Sequence, residues 1–134
     1  GALGDVSGDG VPDLVAGAQG AGPKAHGEAY ALSGADGSVL FTMKPVGLPA
    51  APSTFAQYHA SAAPDVNGDG ITDIYVGDYN ARRGQHEGPN AFPSGTGRSY
   101  IFSGADGSRL YVFDAEQNGD GLGPGRGVGD VNGD

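Results

Sequence analysis

The chain has 134 residues, the length of one ordinary domain, with 27 glycines, 9 prolines, no cysteine and a formal charge of −9 from 16 acidic against 7 basic residues. That balance argues against nucleic acid and anionic membrane as partners, since both select basic surfaces, and the missing cysteine excludes disulfides and thiolate zinc sites. More than a quarter Gly and Pro disfavours helix, and no apolar run approaches the ~20 residues that cross a bilayer.

Gly1-Ala2-Leu3-Gly4 lacks the basic and apolar regions of a signal peptide, so the chain reads as a mature segment or a piece of something longer. Residues 5–13 then read Asp-Val-Ser-Gly-Asp-Gly-Val-Pro-Asp. Counting Asp5 as position 1, oxygen-bearing side chains stand at positions 1, 3 and 5 (Asp5, Ser7, Asp9), and Gly10 at position 6 permits a sharp bend. A short strand over 13–16 follows, closed by Gly17. A second strand, 28–33, meets Ser33-Gly34-Ala35-Asp36-Gly37-Ser38, whose Asp-Gly step suits a tight hairpin. The third strand is 39–43, and a fourth is expected around 58–63.

The order then begins again. Residues 65–73 read Asp-Val-Asn-Gly-Asp-Gly-Ile-Thr-Asp, with Asp65, Asn67 and Asp69 at positions 1, 3 and 5. A strand over 73–76 closed by Gly77, a longer stretch from 78 to 98, a strand over 98–103, the same turn at Ser103–Ser108, a strand over 110–113 and a weaker one over 122–129 complete the second copy. At Asp130 a third loop starts, Asp-Val-Asn-Gly-Asp, and is cut off at Asp134.

Two different motifs returning in the same order define a repeat, with units 1–64 and 65–129 and a truncated third loop at 130–134. The expected fold is all-β, with tandem four-stranded antiparallel blades of the β-propeller type. Neighbouring apolar residues in 100–102 and 110–113 imply that both faces of a sheet are covered, as in a blade. A flat sandwich or separate hairpins would not require the repeat. Propellers close with about four to eight blades, so two blades and the start of a third are expected to be open, to belong to a larger ring, or to be completed by other copies. Units that bury their faces only against neighbours are seldom stable alone.

The loops have the chemistry of a calcium site. Asp5, Ser7, Asp9, the carbonyl of Val11 and Asp13 in the first, and Asp65, Asn67, Asp69, the carbonyl of Ile71 and Asp73 in the second, offer only oxygen, which suits Ca²⁺ and not zinc. An EF-hand or dockerin loop begins alike but needs an acid at position 12 and a helix beyond it; Ala16 and Val76 stand there, and strands follow. Mere Asx turns would leave three carboxylates within nine residues repelling one another. Asp130, Asn132 and Asp134 supply half of a third site. Glu116, Asn118 and Asp120 imitate such a loop, but Pro124 occupies its position 9. His26, His59 and His86 share no spacing, and no Gly-x-Ser-x-Gly elbow is present, so no catalytic constellation emerges.

These motifs resemble the FG-GAP repeats of integrin α-chain propellers and of many secreted bacterial proteins. Tyr58-His59 and Leu122-Gly123 stand where that family has Phe-Gly, and 15–19 and 76–78 stand near its Gly-Ala-Pro. The resemblance implies a seven-bladed propeller with calcium in blade-edge loops and ligand recognition in adhesion. The expected function is a non-enzymatic, calcium-stabilised structural or adhesion module, secreted or at the cell surface. Its expected partners are other copies of itself or the remaining blades of a longer chain, and a protein or carbohydrate ligand. The alternative is a scaffold for a secreted hydrolase or polysaccharide lyase whose catalytic residues lie elsewhere. The stretch with Asn80, Arg82, Arg83, His86 and Phe92 is where recognition would be placed, though an ordinary variable insertion accounts for it equally. Arg82-Arg83-Gly84 continues with Gln85, so it is no Arg-Gly-Asp motif.

Overall fold

A computed structural model describes residues 1–46, 54–81, 97–117 and 119–133. Arg82, Arg83, His86, Phe92, Asn118 and Asp134 therefore lie outside the described residues. The described chain is all-β apart from one 3-10 turn at Pro23–Ala25. Strands β1 (Ala2–Gly4), β2 (Asp13–Ala18), β3 (Glu28–Leu32) and β4 (Val39–Met43) form one sheet, and β5 (Ala60–Ala63), β6 (Asp73–Asp78), β7 (Arg98–Phe102) and β8 (Arg109–Asp114) form another. Each is an antiparallel meander in sequence order. The β3–β4 and β7–β8 turns close through Ser33 N–H to Ser38 O at 2.8 Å and Ser103 N–H to Ser108 O at 2.7 Å. Gly37 and Gly107 take the left-handed backbone these turns need, at φ 75° and 73°.

The grouping of strands differs in one respect from that expected from the repeat. The strand before the second loop, β5, pairs with β6 just after it, Ala60 opposite Val76 and Ala63 opposite Asp73. It opens the second sheet instead of closing the first, as β1 does for the first sheet with Ala2 opposite Leu14. The reason is local: the nine-residue loop folds back on itself and makes a hairpin of its two flanks. The sheets thus divide ahead of β5, whereas the sequence units divide at 64/65. Over 122–129 no ladder forms, and Leu122 makes only an isolated parallel bridge to Gly97.

Alternation along the strands decides which side chains meet between the sheets. Val15, Ala29, Ala31 and Met43 of the first sheet join Ile74, Val76, Tyr100 and Phe102 of the second in one buried cluster with Leu3 and Val6. Phe55 plugs the cluster, its ring edge-on to Tyr100 at 5.2 Å and to Phe102 at 6.2 Å.

The segment that carries Phe55 also relocates the Phe-Gly step. A Cβ on Gly17 would lie 2.0 Å from the Ala56 carbonyl oxygen, and one on Gly77 would lie 2.0 Å from that of Gly123. Gly17 and Gly77 are equivalent in the repeat, so Phe55-Ala56 corresponds to Leu122-Gly123, and Tyr58-His59 does not. Ala56 has φ 57°, the left-handed region where Gly is at home. Tyr58 lies outside the core, stacked on Tyr79 at 5.7 Å.

Candidate metal centre

Both complete loops fold identically around their first aspartate. Asp5 accepts N–H bonds from Gly8 (2.7 Å), Asp9 (3.0 Å) and Gly10 (2.8 Å); Asp65 accepts them from Gly68 (2.7 Å), Asp69 (3.1 Å) and Gly70 (2.7 Å). Position 5 braces the far side, Asp9 accepting the Val11 N–H at 2.7 Å and Asp69 that of Ile71 at 2.8 Å. Gly10 and Gly70 sit at φ 87° and 85°. At position 3 the loops differ. Ser7 Oγ lies 3.4 Å from Asp5, whereas Asn67 both donates to Asp69 Oδ2 (2.8 Å) and accepts the Asp69 N–H (3.1 Å).

Position 9 has a task that the motif does not reveal. Asp13 and Asp73 are 0% exposed. Asp13 Oδ2 accepts the N–H groups of Val6 (2.9 Å) and Ser7 (2.8 Å), and its Oδ1 accepts that of Gly34 (3.0 Å) in the β3–β4 turn. Asp73 does the same with Val66 (2.8 Å) and Gly104 (3.1 Å). Each carboxylate ties the start of its loop to the hairpin turn of its own sheet. At position 7, Ile71 packs against the core as an anchor, but Val11 is exposed, and Val6 at position 2 anchors the first loop instead.

The third loop begins the same way. Asp130 Oδ1 accepts the Gly133 N–H at 2.6 Å and the Asn132 N–H at 3.2 Å, with Gly133 at φ 77° matching Gly8 at 78°. The Glu116 segment is a turn in which Asp120 Oδ2 accepts the Gln117 N–H at 2.8 Å.

The side chains the loops offer carry oxygen donors of the kind a hard cation takes. A carboxylate has about four lone-pair sites; Asp5 accepts from three amides and the Ser7 hydroxyl and Asp13 from three amides, whereas Asp9 accepts from one, so the free oxygen capacity of the first loop lies mainly at Asp9. The ion pairs among the described residues, Lys44–Glu28 and Arg98–Asp114, lie outside the loops. In the arrangement described, amides hold the carboxylates, and among the described residues no three His, Asp or Glu side chains form a ready cluster.

These bonds set an acid limit. The Gly34 N–H, opposed by burial and aided by Ser7 and Val6, holds Asp13 below the ordinary value of 3.8, and the Gly70 N–H leads the same effect at Asp65. A lowered folded value means stability that is present above 3.8 and lost as pH falls through the lowered value. Asp78 acts oppositely. It is buried at the end of β6, accepting the Thr54 N–H (3.0 Å) and hydroxyl (2.7 Å), and burial raises it above 3.8, so its contribution is present below 3.8 and lost as pH rises through the raised value. With the lowered groups in the majority, Tm in chelator is expected to fall as pH drops below the ordinary carboxylate value of 3.8. A profile that stays flat on acidification below it counts against the amide-held loops.

Two stacked antiparallel sheets with acidic loops at equivalent hairpins define a propeller-type repeat protein. Residues 1–39 match the family model described as FG-GAP repeat, a stretch holding the first loop and β1 to β3. The first unit is thus similar to an FG-GAP repeat over those residues, and the second unit reproduces its loop, strand order and β2–β3–β4 register. No match was found among curated proteins.

Proposed function

We propose that this chain is a calcium-stabilised, non-catalytic repeat module that works outside the cell, where its rigid loops support adhesion or recognition. The observation that carries this reading is the loop built twice in the same conformation, with its acids unaccompanied by Lys or Arg. Crowded carboxylates without basic partners favour a divalent cation, and oxygen donors from Asp, Ser or Asn and a backbone carbonyl suit calcium. The amides that hold Asp5 and Asp65 preorganise the bend, so little ordering is left for the ion to impose. Extracellular modules bind calcium with Kd of about 10⁻⁴–10⁻³ M, which fits a millimolar environment.

The test is thermal melting in calcium and in chelator. At about ten times Kd, each site should add about 1.4 kcal/mol. The parent Tm is expected to rise with calcium and the rise to vanish in the double variant Asp9→Ala, Asp69→Ala, with parent and variant melting alike in chelator. Magnesium should do less, because it demands a tighter octahedral cage. A parent indifferent to calcium overturns the reading.

A further inference from the structure

The two complete loops share a backbone but differ at position 3, where the first has Ser7 and the second Asn67, each followed by a glycine. The Gly8 N–H and the Gly68 N–H both donate to the carboxylate at position 1, at 2.7 Å. Ser7 therefore shows that the bend forms without a side-chain amide. What Asn67 adds is chemical: an amide carbonyl carbon that can close a five-membered ring with the backbone nitrogen of the residue after it.

Such a ring closes most readily at an Asn–Gly step, because glycine has no side chain to obstruct the backbone conformation the closure needs. The loop is exposed at Asn67, Gly68 takes φ 76°, and a Cβ on Gly68 would meet nothing within 4 Å, so the surroundings are open. Both reacting atoms are also engaged by groups that assist them. The Asp65 carboxylate accepts the Gly68 N–H, which makes that nitrogen more nucleophilic. The Asp69 N–H donates to Asn67 Oδ1 at 3.1 Å, where negative charge develops during attack on the carbonyl. Chemistry fixes the orientation of the amide, since Nδ2 donates at 2.8 Å to Asp69 Oδ2, a carboxylate oxygen that only accepts. Asn132–Gly133 repeats the step, with the Gly133 N–H held by Asp130 at 2.6 Å, but the residue equivalent to Asp69 there is Asp134, outside the described residues.

We propose that Asn67 is a self-modification site, at which the loop converts its own side-chain amide into a carboxylate. The bond from the Gly68 nitrogen to Asn67 Cγ forms as the Cγ–Nδ2 bond breaks, and the Gly68 amide proton leaves with Nδ2 as ammonia by way of the Asp65 carboxylate. One water then opens the cyclic imide. The sum is amide plus water to acid plus ammonia, with nothing oxidised or reduced. Opening between the nitrogen and Cγ restores the normal backbone with an aspartate at position 3; opening at the main-chain carbonyl leaves the chain running through the side chain, one methylene longer. In the normal product the Nδ2 bond to Asp69 is replaced by two facing carboxylates, so the loop comes to depend more on a cation. That consequence rests on the calcium reading, whereas the modification itself does not.

The experiment incubates the folded chain in chelator at neutral pH and follows it by peptide mapping with mass spectrometry, which reads the replacement of NH2 by OH. Asn80, which precedes Ala81, is the internal reference. Asn67 is expected to convert ahead of Asn80 by about 100-fold, the lower end of what assisted proton transfer contributes, and at least as fast in the folded chain as in denaturant. An Asn67 that keeps its amide, converts at the pace of Asn80, or converts faster once the chain is unfolded overturns the site. Asn67→Asp then reads the consequence by melting: calcium should raise its Tm more than that of the parent. A parent indifferent to calcium sinks the calcium reading and leaves the modification standing on mass alone, while a responsive parent with a variant that gains no more sinks the consequence drawn for the loop.

Discussion

Asp13→Ala and Asp73→Ala are each expected to lower stability sharply, in calcium and in chelator alike, while Asp9→Ala in chelator melts close to the parent. The contrast follows from where the carboxylates sit. Asp13 is fully buried and is the acceptor for three backbone N–H groups, on Val6, Ser7 and Gly34. Hydrogen bonds to a charged acceptor are roughly twice as strong as neutral ones. A buried donor left without an acceptor costs about 1–3 kcal/mol. The Val6 bond is buried and those from Ser7 and Gly34 are part-buried, so losing the acceptor costs about 1–3 kcal/mol at Val6 and less at each of the others, against a total stability of about 5–15 kcal/mol for a domain. Asp9 is exposed and accepts only from Val11, so water can replace it. Denaturant unfolding followed by circular dichroism reads the difference. If Asp13→Ala shifts the midpoint no more than Asp9→Ala, the brace has no structural weight.

The sequence disclosed the parts of this arrangement that depend on local chemistry. Acid, small residue and glycine alternate in the loops because a tight bend and oxygen donors each demand particular residues, and the Asp-Gly step at 36–37 and 106–107 demands a left-handed glycine. Apolar strand segments followed, and observed β2, β3, β4, β6 and β7 begin within a residue of where the pattern placed them. What depended on distant partners was hidden. Nothing in Asp13 or Asp73 marks it as the acceptor for a turn amide 21 or 31 residues away. Nor could Phe55-Ala56 be recognised as a Phe-Gly step while Ala stood in place of Gly; Ala56 is held in its left-handed conformation by the packing around it, with Gly17 leaving room for its carbonyl. Asp78 was silent because its counterpart in the first unit is Ala18, and no repeat comparison could single it out.

Gly34→Ala and Gly104→Ala are the second pair expected to be severe, and they test the same coupling from the other side. A Cβ on Gly34 would stand 1.9 Å from the Pro12 carbonyl oxygen, and one on Gly104 would stand 1.9 Å from that of Thr72. The obstacle is backbone on a strand entrance, so no rotamer change relieves it. Neither glycine needs a left-handed φ, which makes space alone the constraint. If the turn moved away to admit the methyl group, the Gly34 N–H would leave Asp13 and the Gly104 N–H would leave Asp73, since those bonds span the same gap at 3.0 and 3.1 Å. Each variant therefore meets either a clash or a broken brace, and a loss of about 1–3 kcal/mol is expected, the range of overpacking or of one unsatisfied donor. Gly20→Ala is the control. It meets nothing within 4 Å, requires no left-handed φ, and should leave Tm unchanged or raise it through the less flexible unfolded chain, by at most about 1 kcal/mol. Should Gly34→Ala melt with Gly20→Ala, loop and turn are independent. If it falls with Asp13→Ala, and the double variant loses less than the sum of the two, the loop carboxylate and the turn glycine act as one joint. That joint would couple whatever occupies the loop to the edge of the sheet two strands away.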